Sequence, residues 1–432
     1  MATIISHLSS FSKFPTSSTF PSLPSTLPTL NHRNLAIFCC SSLKQPHGQA
    51  STAQNDNLRV VFAAGSTGGH IYPAVAIAEE LKIMNPSCEI LFIGAPNSVE
   101  STVVPSAGYN FASVPSVRLA RPLISSQNLF LPCCLVKSLV QCSRKLRDFK
   151  PHVVVGTGGL ISFPVCLAAK LKGIKLVIQE QNLVPVMENS ILASLADVIF
   201  VAFNSTIDSF RRNKCVVCGN PVRLSLRKHV SKAAARSHFF AGSESRGNSE
   251  AKVLLVLGGS FGANAINIAM LNLYYQMLRR NNSLYIIWQT GIEVYDETDS
   301  LVKTHPRLYL RPFMHRLDLA YVAADIVVSR AGALTCYEIL ATGKPSILIP
   351  SPDVSEGHQF KNASLMADLT GATVITEDEL DSCTLAIAIE QFLSDEEKMK
   401  EMSERALKAA NPNASTEIAK HILSLVNLST EE

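Results

Sequence analysis

The chain has 432 residues, 47% of them hydrophobic and 17% charged, with a formal net charge of +4. That length exceeds one ordinary hydrophobic core and predicts two domains. Lys13, Arg33 and Lys44 are the only charged residues among the first 55, and removing these three from the 39 basic residues leaves 36 against 35 acidic. So near-neutral a remainder gives no reason to expect a nucleic-acid partner.

Residues 1–56 are rich in Ser, Thr and Pro and lack the continuous apolar stretch of a secretory signal. With Arg scarce, this is the composition of a plastid transit peptide, an ordinary disordered tail being the alternative. Eleven cysteines are scattered without a framework. Cys215 and Cys218 form a lone CxxC inside the strand-like "KCVVCGNPV"; no second ligand pair follows, so no zinc site is expected.

From residue 57 onward, apolar β-rich runs alternate with helical patterns. "RVVFAAG" leads into "IYPAVAIAEELKIM", and "EILFIGA", "HVVVGTGG", "KLVIQEQN" and "DVIFVAF" follow. Continuous Val/Ile/Leu runs suit parallel strands buried on both faces, and alternation with helices gives a doubly wound sheet. After the polar "RGNSEAK" the pattern restarts with "VLLVLGGSFGANAINIAM", "YIIWQTG", "LYLRPFM", "DIVVSRAGALTCYEILATG" and "PSILIPSP". The reading is therefore α/β, with two Rossmann-like domains. The first spans 57–220 and the second 221–410, with a hinge near 218–223 and a final segment at 411–432. Each half places two glycine turns after strands. Ligands of open α/β sheets bind at the carboxyl ends of strands, so the active cleft is expected between the domains.

The first turn, "AAGSTGGHIYPA", is neither a Walker loop nor GxGxxG. Its glycines, with Gly68 and Gly69 at the helix start, let a ligand approach the main chain. His70 at a helix start has its proton affinity lowered by the dipole, which suits a general base; a capping or packing histidine fits the spacing equally well. "GGSFGAN" at 258–264 and "RAGALT" at 330–335 are further helix starts able to bind a diphosphate. Glu338, on the helix after the latter, can accept both hydroxyls of a ribose, or be a solvated helix glutamate. His358, Gln359 and Asn362 in "EGHQFKNA" suit sugar hydroxyls or simple capping. "QEQN" ends a strand at a position suited to an acceptor, and Arg223 is placed to reach a phosphate. "LFLPCCLV" at 129–136, followed by Lys137, Arg144, Lys145, Arg147 and Lys150, reads as a membrane-surface patch or as a core helix with a basic face.

In combination and in order, "GSTGGHIYPA", "GTGGLISFP", "QEQN", "GNPVR", "GGSFGAN", "SRAGALTCYEILATGKP" and "HQFKNA" resemble the MurG-type family. These are UDP-N-acetylglucosamine transferases that complete lipid II in peptidoglycan synthesis, and the resemblance runs from about residue 59 to 427. It implies a GT-B fold with a C-terminal helix returning to the first domain. It implies inverting transfer of GlcNAc from UDP-GlcNAc to the 4-hydroxyl of a muramyl peptide carried on a polyprenyl diphosphate. It further implies an anionic membrane surface as partner, no cofactor and no required metal. By motif position, Thr67, Gly68, Gly69 and Asn182 line the acceptor side, with His70 as base. Arg223 and Ser260 meet the donor diphosphate, with the turn Ala333, Leu334 and Thr335. Met314 holds the uracil, Glu338 the ribose, and Gln359 and Asn362 the sugar. The chain departs from the family pattern at Ser66, Leu160, Gln179, Glu188 and His358. With the leader, the resemblance predicts a peripheral enzyme on the stromal side of the chloroplast inner envelope. A plastid galactolipid synthase acting on diacylglycerol, and a relative without turnover, are the alternatives.

Overall fold

The computed structural model describes residues 57–65, 67–115, 129–240, 251–352 and 357–427. The transit-peptide expectation for residues 1–56 lies outside them. Among the described residues, two all-parallel sheets of seven and six strands form.

The first sheet contains β1 (Arg59–Ala64), β2 (Glu89–Gly94), β3 (Asn110–Ser113), β4 (Val153–Gly158), β5 (Lys175–Glu180), β6 (Val198–Val201) and β7 (Cys215–Val217). Its order is β3-β2-β1-β4-β5-β6-β7. The second contains β8 (Lys252–Leu257), β9 (Leu284–Gln289), β10 (Leu308–Arg311), β11 (Ile326–Ser329), β12 (Ser346–Leu348) and β13 (Thr373–Val374). Its order is β10-β9-β8-β11-β12-β13. The "KCVVCGNPV" run pairs over only three residues, because Gly219 turns the chain out of the sheet at φ +80°.

Alternation along the strands explains the double winding. Val60, Phe62 and Ala64 of β1 pack in one apolar layer, while Val61 and Ala63 pack in the layer on the opposite face. The second sheet repeats the scheme, with Val253, Leu255 and Leu257 on one face and Leu254 and Val256 on the other. A strand with no polar face is stable only when helices cover both sides.

The last helix, Ala414–Asn427, does not pack on the second sheet. Its Ile418, Ala419, Ile422 and Val426 are buried in the same layer as Ile71, Ala74 and Ala78 of the Gly68–Met84 helix. Arg227, just past the hinge, pairs with Glu80 of that helix and donates Nη2 to Ser415 Oγ at 2.7 Å. The Tyr337 hydroxyl donates to the Ala202 carbonyl at 2.8 Å. Buried polar contacts thus fasten the two halves around the hinge.

In each sheet the strand order reverses direction between the first and fourth strands, at β1/β4 and at β8/β11. Crevices form at such switch points, beyond the carboxyl ends of the strands. All four glycine turns begin there.

Candidate active site

A cavity of about 690 Å³ lies between the two switch points. Thr67, Gly68, Gly69, His70, Gln181 and Asn182 line it from the first half. Residues 258–262 and 332–335, with Arg223, Met314, Glu338 and Gln359, line it from the second. Three helices, Gly68–Met84, Ala333–Thr342 and His358–Thr370, begin in its wall. A fourth, Asn264–Arg280, begins two residues after the 258–262 turn. Each presents unpaired N–H groups and a positive dipole end, so the cavity favours an anion.

His70 is half-buried. Its Nδ1 lies 3.0 Å from the Gly65 carbonyl. A carbonyl only accepts, so Nδ1 carries the proton and Nε2 is left as the basic nitrogen. The Thr157 hydroxyl donates to the His70 carbonyl at 2.8 Å and ties the turn to the end of β4. Gly158 is required there: it sits at φ +105°, and a Cβ would stand 3.1 Å from Nε2. Burial lowers the proton affinity of His70, against the Gly65 hydrogen bond and the nearby carboxylates of Glu188 and Glu100. The imidazole is therefore neutral near pH 7, as a base must be.

Across the cavity, Glu338 is 2% exposed and its Oε1 lies 3.0 Å from Arg223 Nη1. Burial raises the proton affinity of Glu338, and Arg223 opposes that shift. The Arg223 guanidinium also stacks on the Tyr72 ring, 3.7 Å from its centroid. The residue expected at a phosphate and the residue expected at a ribose are thus ion-paired with each other.

The 258–262 turn is pressed against the end of β9. A Cβ at Gly258 would meet the Thr290 carbonyl at 2.6 Å, and Gly262 sits at φ +129°. Gln289 ties the turn to the next loop: its Nε2 donates to the Gly259 carbonyl at 2.9 Å, and its Oε1 accepts from Met314 N–H at 3.0 Å. Ser260, Met314, Ala333, Leu334 and Thr335 all lie in the cavity wall. Gln359 lies there too, its Oε1 accepting from Ser351 N–H at 2.9 Å, which leaves its amide nitrogen to donate elsewhere.

Two sequence expectations change. Asn362 does not line the cavity: it is buried, donating Nδ2 to the Ala331 carbonyl at 3.1 Å, and so supports the 332–335 turn from beneath. "QEQN" is mostly scaffold rather than an array of ligand groups. Gln179 donates to Asn220 at 3.0 Å, Gln181 to the Thr157 carbonyl at 2.7 Å, and Asn220 to the Gln181 carbonyl at 2.9 Å. The buried Glu180 carboxylate accepts from Asn182 N–H and Nδ2, Val186 N–H and Asn189 Nδ2, which fixes the loop carrying Asn182 into the cavity. Sequence reasoning passed over Tyr72, lost in the apolar pattern of its helix, and Gln289, read as the end of a strand. The signal for Gln289 was available, because it closes its strand just before a glycine.

The helix Leu131–Phe149 carries most of the apolar run and most of the basic residues after it. It buries only Ser138, Cys142 and Leu146, at four-residue spacing. Leu129, Phe130, Val136 and Val140 are exposed, as are Lys137, Arg144, Lys145 and Arg147. The apolar residues therefore form a surface with a basic rim. No helix among the described residues is long and apolar enough to cross a membrane.

Residues 60–201 match the glycosyltransferase family 28 N-terminal domain, and residues 253–422 match its C-terminal domain. The UDP-N-acetylglucosamine--N-acetylmuramyl-(pentapeptide) pyrophosphoryl-undecaprenol N-acetylglucosamine transferase of Flavobacterium psychrophilum is 38% identical over 371 residues, 86% of this chain and 98% of that protein. The protein of the same description from Salinibacter ruber is 38% identical over 368 residues, 85% of this chain and 97% of that protein. The crystal structure of Acinetobacter baumannii MurG superposes with a TM-score of 0.63 at 25% identity, covering 85% of this chain and 99% of that one.

Proposed function

The chain belongs to glycosyltransferase family 28, and from that premise we propose that it transfers N-acetylglucosamine from UDP-GlcNAc to a muramyl-peptide polyprenyl diphosphate, converting lipid I to lipid II. One observation carries the reading beyond the family: a single cavity joins a neutral histidine, with Nε2 available, to a cationic wall built from helix starts and Arg223.

In this mechanism Nε2 of His70 takes the proton of the acceptor 4-hydroxyl. The hydroxyl oxygen attacks the anomeric carbon from the face opposite the diphosphate, the C1–O bond to the β-phosphate breaks, and the configuration inverts. Arg223, Ser260 and the N–H groups of residues 333–335 receive the charge that develops on UDP, so the reading calls for no metal. Met314 contacts the uracil, Glu338 the ribose and Gln359 the sugar hydroxyls. Asn362 acts through the 332–335 turn. Thr67, Gly68, Gly69 and Asn182 face the lipid diphosphate and muramyl sugar, and the exposed 129–140 surface rests on anionic lipid.

His70→Ala is expected to lower kcat by about 10²–10⁴-fold while UDP binding stays within about twofold. A rate within severalfold of the parent removes His70 as the base.

The first 57 residues or so lie outside both family matches, which begin at residue 60. The Ser/Thr-rich composition of residues 1–55, which contain no Asp or Glu, supports a plastid transit peptide and a stromal, envelope-bound enzyme. Residues 1–56 fused to a fluorescent reporter should direct it to chloroplasts; a reporter that stays cytosolic contradicts the assignment.

A further inference from the structure

Tyr72 is unaccounted for by the mechanism above, yet it is the residue through which the first half touches the donor-side arginine. Its ring lies against the flat face of the Arg223 guanidinium, 3.7 Å from centroid to Cζ. Gly68, one turn earlier on the same helix, makes room for it: a Cβ there would stand 3.2 Å from Tyr72 Cε2 and 3.5 Å from Ser260 Oγ. The ring is thus set where the two halves meet.

The chemistry of the contact is selective. A carboxylate partner occupies the in-plane N–H groups of an arginine, whereas an aromatic face holds the guanidinium from above and leaves those groups available. At Arg223 they are not fully used. Nη1 and Glu338 Oε1 face each other at 3.0 Å, and both atoms are buried, but neither forms a hydrogen bond. A nucleoside diphosphate sugar offers phosphate oxygens to the guanidinium and hydroxyls to the carboxylate.

Resting on the reading of the donor site above, we propose that Tyr72 is a positioning residue that holds the Arg223 guanidinium by its face so that its N–H edge meets the donor diphosphate. Tyr72 lies two residues beyond His70 on the Gly68–Met84 helix. One rigid element therefore sets the distance between the base and the cation that receives the leaving group.

The test measures UDP binding by calorimetry, and steady-state kinetics, for Tyr72→Phe, Tyr72→Ala, Arg223→Ala and the double alanine variant. Tyr72→Ala is expected to weaken UDP binding and raise the UDP-GlcNAc KM by about tenfold, with the lipid KM within twofold. Tyr72→Phe keeps the ring face and should stay within about threefold of the parent. In the Arg223→Ala background, Tyr72→Ala should add less than twofold. Unchanged UDP binding in Tyr72→Ala, or effects of the two alanine substitutions that multiply in full, overturns the proposal. Should Tyr72→Ala fail to fold, Tyr72→Leu keeps bulk without a π face and is expected to show the same loss; parental binding by that variant is equally fatal. A parent protein that does not bind UDP overturns the donor-site reading as well, whereas a parent that binds it beside an unaffected Tyr72→Ala overturns this inference alone.

Discussion

His70 depends on neighbours distant in sequence. From spacing alone it was as much a packing residue as a base. The carbonyl of Gly65 fixes which nitrogen carries the proton, and Gly158, 88 positions along the chain, leaves space for the ring. A local pattern shows the glycines but not which ring they make room for. The same burial predicts a pH profile. Because it lowers the proton affinity of His70, the acid limb of kcat/KM is expected below pH 6.5, the ordinary histidine value. The sign for stability agrees: below that pH the unfolded chain takes up this proton more readily than the folded one, so protonation costs stability. Glu188 and Glu100 are the carboxylates that pull the other way. Glu188→Gln removes one of them and should move the acid limb lower still; a limb that stays in place, or moves up, rules out that coupling.

At the scale of elements, the glycine turns were legible because each follows a run of buried β-branched residues, a pattern with one structural solution. "QEQN" was harder. Its polar side chains look like ligand groups until Asn220, from the hinge, closes the network around them, and that partner is 41 residues away from Gln179. Asn362 is similar: its motif position points to a sugar hydroxyl, whereas its amide donates to the Ala331 carbonyl, a partner that local spacing does not show. The Leu131–Phe149 helix differs: sequence offers two readings, and burial shows most of its apolar residues facing outward rather than packed in a core. Leu129, Phe130, Val136 and Val140 have no covering element among the described residues. If they meet lipid, the basic rim contributes about 1 kcal/mol per charge near an anionic surface. Replacing Arg144, Lys145 and Arg147 with Gln is expected to weaken binding to phosphatidylglycerol vesicles at least tenfold at low salt, with a smaller difference at high salt. Vesicle binding that is unchanged at low salt refutes the membrane role of this face.

For the whole molecule, two sheets with the same switch-point topology place four helix starts around one cavity. The last helix and the Arg227–Glu80 pair bind the second half back to the first. The division into two α/β halves was readable because the strand–glycine–helix pattern restarts after residue 250. The return of the Ala414–Asn427 helix came only from the family resemblance, since its apolar stripe would fit either half. The central claim is that this cavity transfers GlcNAc to a muramyl lipid. Radiolabelled UDP-GlcNAc and UDP-galactose, each offered with lipid I and with diacylglycerol in the presence of a chelator, test it most directly. Label should pass from UDP-GlcNAc to lipid I at an undiminished rate with metal removed. Label entering only diacylglycerol, or no acceptor at all, would contradict the account.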